Sequence, residues 1–196
     1  MTNETPQYPR SIRCNNSDYE LRLMTAGDAD VAIEFAKALP SHDLLFMQRD
    51  IRNPKVVAAW LEQIERGAIT SLLAIADGRI QGCAAIVRDA LSWSPHVGEM
   101  RVVVSKSARG SGLGRLLAQD AFAFAVSTGV EKLIARMTPD QRGAIAVFEE
   151  MGFRAEALLR DFVLDGDGAR HDIVILSLEV ARNRAQREAY GYNEAF

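Results

Sequence analysis

Cysteine is scarce in this chain of 196 residues, which holds two, Cys14 and Cys83, far apart and outside any C-x-x-C spacing. A disulfide framework and a cysteine-built zinc site are excluded as readings, and no metal is expected. Positive charge is in deficit: 23 Lys and Arg face 26 Asp and Glu, a net charge of -3. That balance argues against a nucleic-acid partner, whose phosphates reward a basic surface. No run approaches the roughly 18 apolar residues of a membrane-crossing helix. The polar segment 1–18, with Pro6 and Pro9, lacks the apolar stretch of a signal peptide. A cytoplasmic protein with no membrane partner is the expectation. What is present is ordinary: 48% apolar and 25% charged residues, the usage of a soluble globular domain. The length suits one domain able to bury a core without staples.

The pattern divides the chain into a flexible lead over 1–18, a domain over 19–180 and a polar tail or short terminal helix over 181–196. Segment 19–25 alternates apolar and polar residues as a strand does. Segment 28–39 carries apolar residues at helical spacing up to Pro40, and 54–66 reads as a second helix with proline in its first turn and Gly67 past its end. Two β-compatible runs, 69–76 and 80–87, flank Asp77-Gly78-Arg79, a hairpin signal. A strand over 97–104 leads through a polar loop into a helix over 112–128, followed by a strand over 133–137 and a helix over 141–151. Two last strands, 154–164 and 171–180, flank the turn Asp165-Gly166-Asp167-Gly168. The order β-α-α-β-β-β-α-β-α-β-β predicts an α+β fold, a mixed sheet with helices on both faces.

Chemistry concentrates in 101–114, RVVVSKSARGSGLG, where a β-branched strand end, a loop with Arg109, glycines at 110, 112 and 114, and a helix start coincide. Glycines let backbone N–H groups turn toward a ligand, and the first turn of a helix offers unpaired donors and a dipole that favours anions. The segment therefore reads as a phosphate cradle. A dinucleotide fingerprint would need glycine where Arg115 stands, and a Walker loop would need G-K-[ST] where Gly114 precedes Arg115 and Leu116. A nucleotide-binding regulator is weakened accordingly.

Arg109-x-x-Gly112-x-Gly114 resembles the acyl-CoA pyrophosphate motif R/Q-x-x-G-x-G/A of the GCN5-related N-acetyltransferase (GNAT) superfamily. Gln141-x-x-Ala144-x-x-x-Phe148-x-x-x-Gly152-Phe153 is similar to that family's N-x-x-A-x-x-x-Y-x-x-x-G-F block, and the likeness covers roughly 19–180. It implies a GNAT-like three-layer α/β/α fold with a central mixed, mostly antiparallel, splayed sheet, and acetyl-CoA as co-substrate in the wedge between strands 97–104 and 133–137. The backbone of Val102, Val103 and Val104 would pair with the pantetheine arm as an added strand. Arg109, Gly110, Ser111, Gly112, Leu113, Gly114 and Arg115 would wrap the pyrophosphate, with Gln141, Ala144 and Phe148 along the cofactor.

The implied reaction is attack of a neutral amine on a thioester, which needs a base, a polarised carbonyl and a proton for the leaving thiolate. In the family a backbone N–H often polarises the carbonyl, a part that fits Val102–Val104. The tyrosine that often serves as acid is replaced by Phe148, which packs on a stripe with Ala144, Val147 and Met151 or walls the cofactor. Glu99 on the same strand is the candidate general base, directly or through water; a substrate-ammonium anchor and a solvated charge are its other readings. His96, and His171 with Asp172, are further titratable candidates. The resemblance implies acceptor recognition around His42, Asp43, Phe46, Asp50, Trp60, Asp165 and Asp167, whose carboxylates could attract a cationic amine; solvated loop charge, with Trp60 on a helix packing face, is the other reading of each. Two functions remain open. One is an N-acetyltransferase working in a ternary complex on a small-molecule or peptide amine, with no cysteine in the motif to carry the acyl group. The other is a non-catalytic acyl-CoA-binding regulatory module. An exposed sheet edge is compatible with a homodimer.

Overall fold

The computed structural model describes residues 7–15 and 17–189. Arg10–Cys14 (β1) and Ser17–Leu23 (β2) form an antiparallel hairpin that opens the sheet. Ala29–Ala38 (α1) follows a turn capped by Asp28, whose carboxylate accepts from the Thr25 N–H and hydroxyl at 2.8 and 3.0 Å and pairs with Arg22. Pro54–Glu65 (α2) starts on Asn53, whose side chain accepts from the Lys55 N–H, with Pro54 fitting the first turn because it has no N–H to satisfy. The strands Ile69–Ala76 (β3), Arg79–Val87 (β4) and Val97–Val104 (β5) make a meander, the first two joined at Asp77 and Gly78, which both take positive φ as a tight hairpin requires. Then come Leu113–Ser127 (α3), Lys132–Met137 (β6), Arg142–Glu150 (α4), Arg154–Leu164 (β7), Arg170–Glu179 (β8) and Val180–Ala189 (α5).

The eight strands form one sheet in the order β1-β2-β3-β4-β5-β6-β8-β7, antiparallel at every junction except the parallel β5–β6 pair. Two cores lie on its two faces. One gathers α3, α4 and the sheet around Leu113, Leu117, Leu133 and Phe153; the other gathers α1, α2 and the sheet around Phe35, Val57, Leu73 and Ile173. Each fully buried side chain of this kind contributes about 1.5–3 kcal/mol of transfer free energy. This is the three-layer arrangement with a mixed, mostly antiparallel sheet.

Part of the expected lead is ordered: residues 10–14 are β1, and β2 begins at Ser17 rather than at 19. The stretch RSIRC carries little apolar content because β1 is an edge strand, held by its ladder to β2 and by Arg10 and Tyr8, which both reach Asp120 on α3. At the other end 180–189 is helical, while 190–196 of the expected tail, like 1–6 of the lead, lies outside the described residues.

Two features position the site. The β5–β6 pairing runs only from Val97 opposite Lys132 to Glu99 opposite Ile134. Beyond it β5 continues on β4 up to Val104 and β6 continues on β8 up to Met137, so the strands part and leave a wedge with an unpaired β5 edge. The second is Gly82, opposite Val104 on β4: a Cβ there would stand 2.6 Å from a Leu117 methyl. Its absence lets α3 settle onto the sheet with its first turn beside the end of β5.

Candidate active site

The loop from β5 to α3 is pinned from below and open above. The Ser105 N–H donates to the Gln81 carbonyl at 2.8 Å, and the hydroxyls of Ser105 and Ser107 both donate to Gln81 Oε1, at 2.7 and 3.2 Å. Ser111 closes the turn internally, its hydroxyl donating to the Ala108 carbonyl at 2.7 Å and accepting from the Leu113 N–H at 3.2 Å. Gly112 caps α3 at φ 91, a left-handed conformation that favours glycine. The N–H groups of Gly110, Gly112, Gly114 and Arg115 donate to nothing among the described residues, and a Cβ at Gly110 or Gly112 would meet open space. Unpaired donors, free space and the positive end of α3 converge, which is the environment a diphosphate needs.

A cavity of about 250 Å³ lies on the opposite face of the sheet, under α1 and α2. Strand alternation puts Glu99, Arg101 and Val103 on this face, and Met100, Val102 and Val104 toward α3. The cavity wall is largely apolar, with Phe35, Met47, Trp60 and Val103 among its members. Trp60 is fixed by its indole N–H, which donates to Ser71 Oγ at 3.0 Å. Glu99 is 8% exposed; it accepts from Arg101 Nε at 2.9 Å and from the Gln48 amide at 3.5 Å. The wedge edge and the cavity are thus two sides of the same strand.

Three comparisons with known proteins bear on this geometry. The model of the acetyltransferase (GNAT) family matches residues 35–153. The chain belongs to the GNAT family. YwnH of Bacillus subtilis, to which phosphinothricin acetyltransferase activity is ascribed, is 31% identical over 83 residues, 42% of this chain and 50% of its own length, so the match spans half of that relative. Among solved structures, yncA of Salmonella typhimurium, described as an acetyltransferase with its cofactor acetyl-CoA, aligns at TM-score 0.71 and 19% identity over 84% of this chain and 95% of its own. The spermidine N-acetyltransferase of Vibrio cholerae, in complex with CoA and spermine, aligns at TM-score 0.70 and 14% identity over 85% and 98%. At those identities the structural likeness establishes the fold.

Within this GNAT fold the residues singled out from sequence divide sharply. The loop from Arg109 to Arg115 forms one surface at the mouth of the wedge, but both guanidinium groups already hold carboxylates, Arg109 that of Asp43 and Arg115 that of Glu150. Leu113 is fully buried against the sheet and its N–H is taken by Ser111, so it scaffolds the loop. Gln141 precedes α4 and accepts from the Thr138 N–H at 3.3 Å, and Ala144 is exposed rather than part of a buried stripe. Phe148 is a core residue, 4% exposed and edge-to-face with Phe153 at 5.0 Å.

The expected acceptor carboxylates are engaged elsewhere. Asp43 pairs with Arg109, Asp50 with Arg52 at 2.8 Å, and Asp165 with His171 at 2.7 Å. The hydrogen bonds from Arg52 and from His171 hold the Asp50 and Asp165 carboxyls below the usual carboxylate range. His42 lies against Asp140 at 2.8 Å and edge-to-face on His171 at 5.1 Å, and His96 is exposed in the loop before β5. Phe46 is buried in the core below the cavity and Asp167 only turns the last hairpin. Sequence reasoning missed Arg101, Gln48 and Cys83 as cavity residues. Period-two alternation from Glu99 would have found Arg101; the other two are placed by the α1–α2 loop and by β4, which no local pattern aims. Burial pushes the Cys83 thiol up to about 12, so it is protonated at neutral pH and not poised as a nucleophile.

Proposed function

We propose that this protein transfers the acetyl group of acetyl-CoA directly to a primary amine, with both substrates bound at once. The observation that carries the reading is the continuity of three parts along β5 and the loop that follows it: free N–H groups at the start of α3, the unpaired β5 edge past Glu99, and the buried Glu99, held on the other face by the cavity residues Arg101 and Gln48. The acetyl-CoA and CoA bound in the solved relatives support it. The loop N–H groups would hold the diphosphate, and the β5 edge would hydrogen-bond the pantetheine as a neighbouring strand would. Arg109 would exchange the Asp43 carboxylate for phosphate.

The amine enters from the cavity. Glu99, directly or through a water, takes the proton that its nitrogen must lose; the C–N bond forms as the thioester C–S bond breaks, and a β5 N–H stabilises the developing oxyanion. Phe148 has no proton to give, so the departing thiolate takes one from solvent. The buried phenyl at this position favours a second reading, a module that binds acyl-CoA without turning it over. Release of CoA thiol from acetyl-CoA against an amine panel, beside calorimetric titration of CoA, separates the two. Amine-dependent release, lost with CoA binding in Gly112→Asp/Gly114→Asp, supports transfer. CoA binding without release supports the module, and no CoA binding overturns both.

A further inference from the structure

The charge inside the cavity is not what a cationic acceptor such as a polyamine needs. The carboxylates that would draw a polycation are turned to other partners: Asp43 to Arg109, Asp50 to Arg52, Asp165 to His171. What faces the cavity is a guanidinium, Arg101, with a second, Arg49, at its rim. Arg101 spends only its Nε on Glu99; its terminal amino groups, like the Arg49 guanidinium, make no hydrogen bond among the described residues. Glu99 is one acidic group against these two cations, and it already carries Arg101. The remaining wall is mostly aliphatic and aromatic, with Phe35, Met47, Trp60 and Val103 among its members beside the amides of Gln48 and Gln63.

An acceptor seated on this wall would meet an apolar surface and the Arg101 guanidinium, with the Glu99 carboxylate held directly beside Arg101. Glu99 and Arg101 lie two apart on one face of β5, joined at 2.9 Å, so they form a fixed negative–positive dyad. An α-amino acid is the complementary dyad, its ammonium and carboxylate separated by a single carbon. Resting on the acetyltransferase reading above, we infer that the acceptor is an α-amino acid with an apolar side chain, its carboxylate bound by the terminal amino groups of Arg101 and its α-amine presented to Glu99. The planar fork of arginine suits that carboxylate, and a desolvated anion-binding cation discriminates strongly against ligands that leave it unpaired.

The test uses the full chain with acetyl-CoA and matched pairs: L-methionine, L-leucine and L-phenylalanine against their decarboxylated amines, with spermidine as the polycation. The expected result is a kcat/KM at least tenfold higher for the amino acid in one or more pairs than for its amine, and than for spermidine. Binding to the CoA complex, measured by calorimetry, should follow the same order. Arg101→Gln should bring that ratio toward one, chiefly by raising KM for the amino acid, and Arg101→Lys should restore part of it. The wild-type ratio stands whether or not the variants fold. Amines or spermidine used as well as or better than the amino acids, or no response to any amino acid in either assay, overturns this inference. Calorimetric CoA binding reports the acetyl-CoA reading separately, so its loss and the failure of the acceptor assignment are distinguishable.

Discussion

The two faces of the sheet are built to opposite specifications. On the α3 face the donors are backbone N–H groups of a short loop, fixed by Gln81 and Ser111, and almost any side chain that keeps the chain's path would leave them in place. On the α1–α2 face the groups are side chains, Glu99, Arg101, Trp60 and Gln48, drawn from one strand, a helix and a long loop. On the function proposed above, the first face would hold acyl-CoA and the second would hold the acceptor. Backbone recognition tolerates drift in sequence, whereas side-chain recognition is the means by which one scaffold takes many acceptors.

The sharpest way to break this contrast is at Glu99, where the two faces meet. Glu99→Gln keeps an oxygen for Arg101 Nε but cannot take a proton. We expect kcat to fall by roughly 10²–10⁴-fold with the KM for acetyl-CoA unchanged, measured by thiol release. A fall in acetyl-CoA affinity with kcat intact would make Glu99 a structural charge. Next in size is the opposite face: Gly112→Asp/Gly114→Asp puts two carboxylates where a diphosphate would lie. CoA binding by calorimetry should weaken by about 100-fold or more, since like charge and lost N–H contacts act together. Thermal stability should change little from Gly114, whose added Cβ meets only a Val104 methyl at 3.6 Å.

That asymmetry also governs what could be read without coordinates. The glycine turn before α3 was legible because its elements, glycines, strand end and helix start, adjoin in sequence. The same locality made most strands and helices legible, and the family blocks supplied the splay. The hairpin strand β1 was not, because Arg10 and Arg13 mask a strand whose stability comes from β2 and Asp120. The ion pairs of the loop carboxylates were not legible. Asp43, Asp50 and Asp165 look like an acidic lure in sequence, but each has a cation brought to it by folding, and for Asp43 and Arg109 that partner is 66 residues away. Trp60 does line the cavity, and Glu99 lies on the same face of the sheet, where alternation along β5 sufficed to place it.

The α1 end of the acceptor side offers a stability test. Asp28, 5% exposed, is held at a pKa of about 2 against an ordinary 3.8, first by its hydrogen bonds from Arg22 and then by those from Thr25. A carboxyl depressed on folding stabilises the native state above its unfolded pKa, and that contribution is lost as pH falls from about 4 toward 2, where both states are protonated. The difference is worth about 2 kcal/mol at neutral pH. Asp28→Asn should therefore lower stability by about that amount at pH 7 and much less near pH 2 in denaturant titrations. An equal loss at both pH values would mean that the cap geometry, not the charge, is what Asp28 supplies. CoA binding should be unaffected, because Asp28 belongs to the α1 anchor and not to the phosphate loop.

The smallest expected effect lies where the faces are tied together. Asp43, on the turn after α1, holds Arg109 of the glycine loop, so a carboxylate from the α1–α2 side occupies the cation that, on the proposed function, a diphosphate would use. Half-exposed pairs of this kind are worth about 0.2–1 kcal/mol. Asp43→Asn removes both the competitor and a like charge beside the incoming anion, and CoA affinity should rise by about two- to fivefold, more at low salt than at high, as screening requires. The opposite outcome, weaker CoA binding in Asp43→Asn, would show that Asp43 aims Arg109 at the phosphates instead of withholding it. The acceptor-side turn would then be part of the phosphate site, and the division of labour between the two faces would end at β5 rather than at the loop.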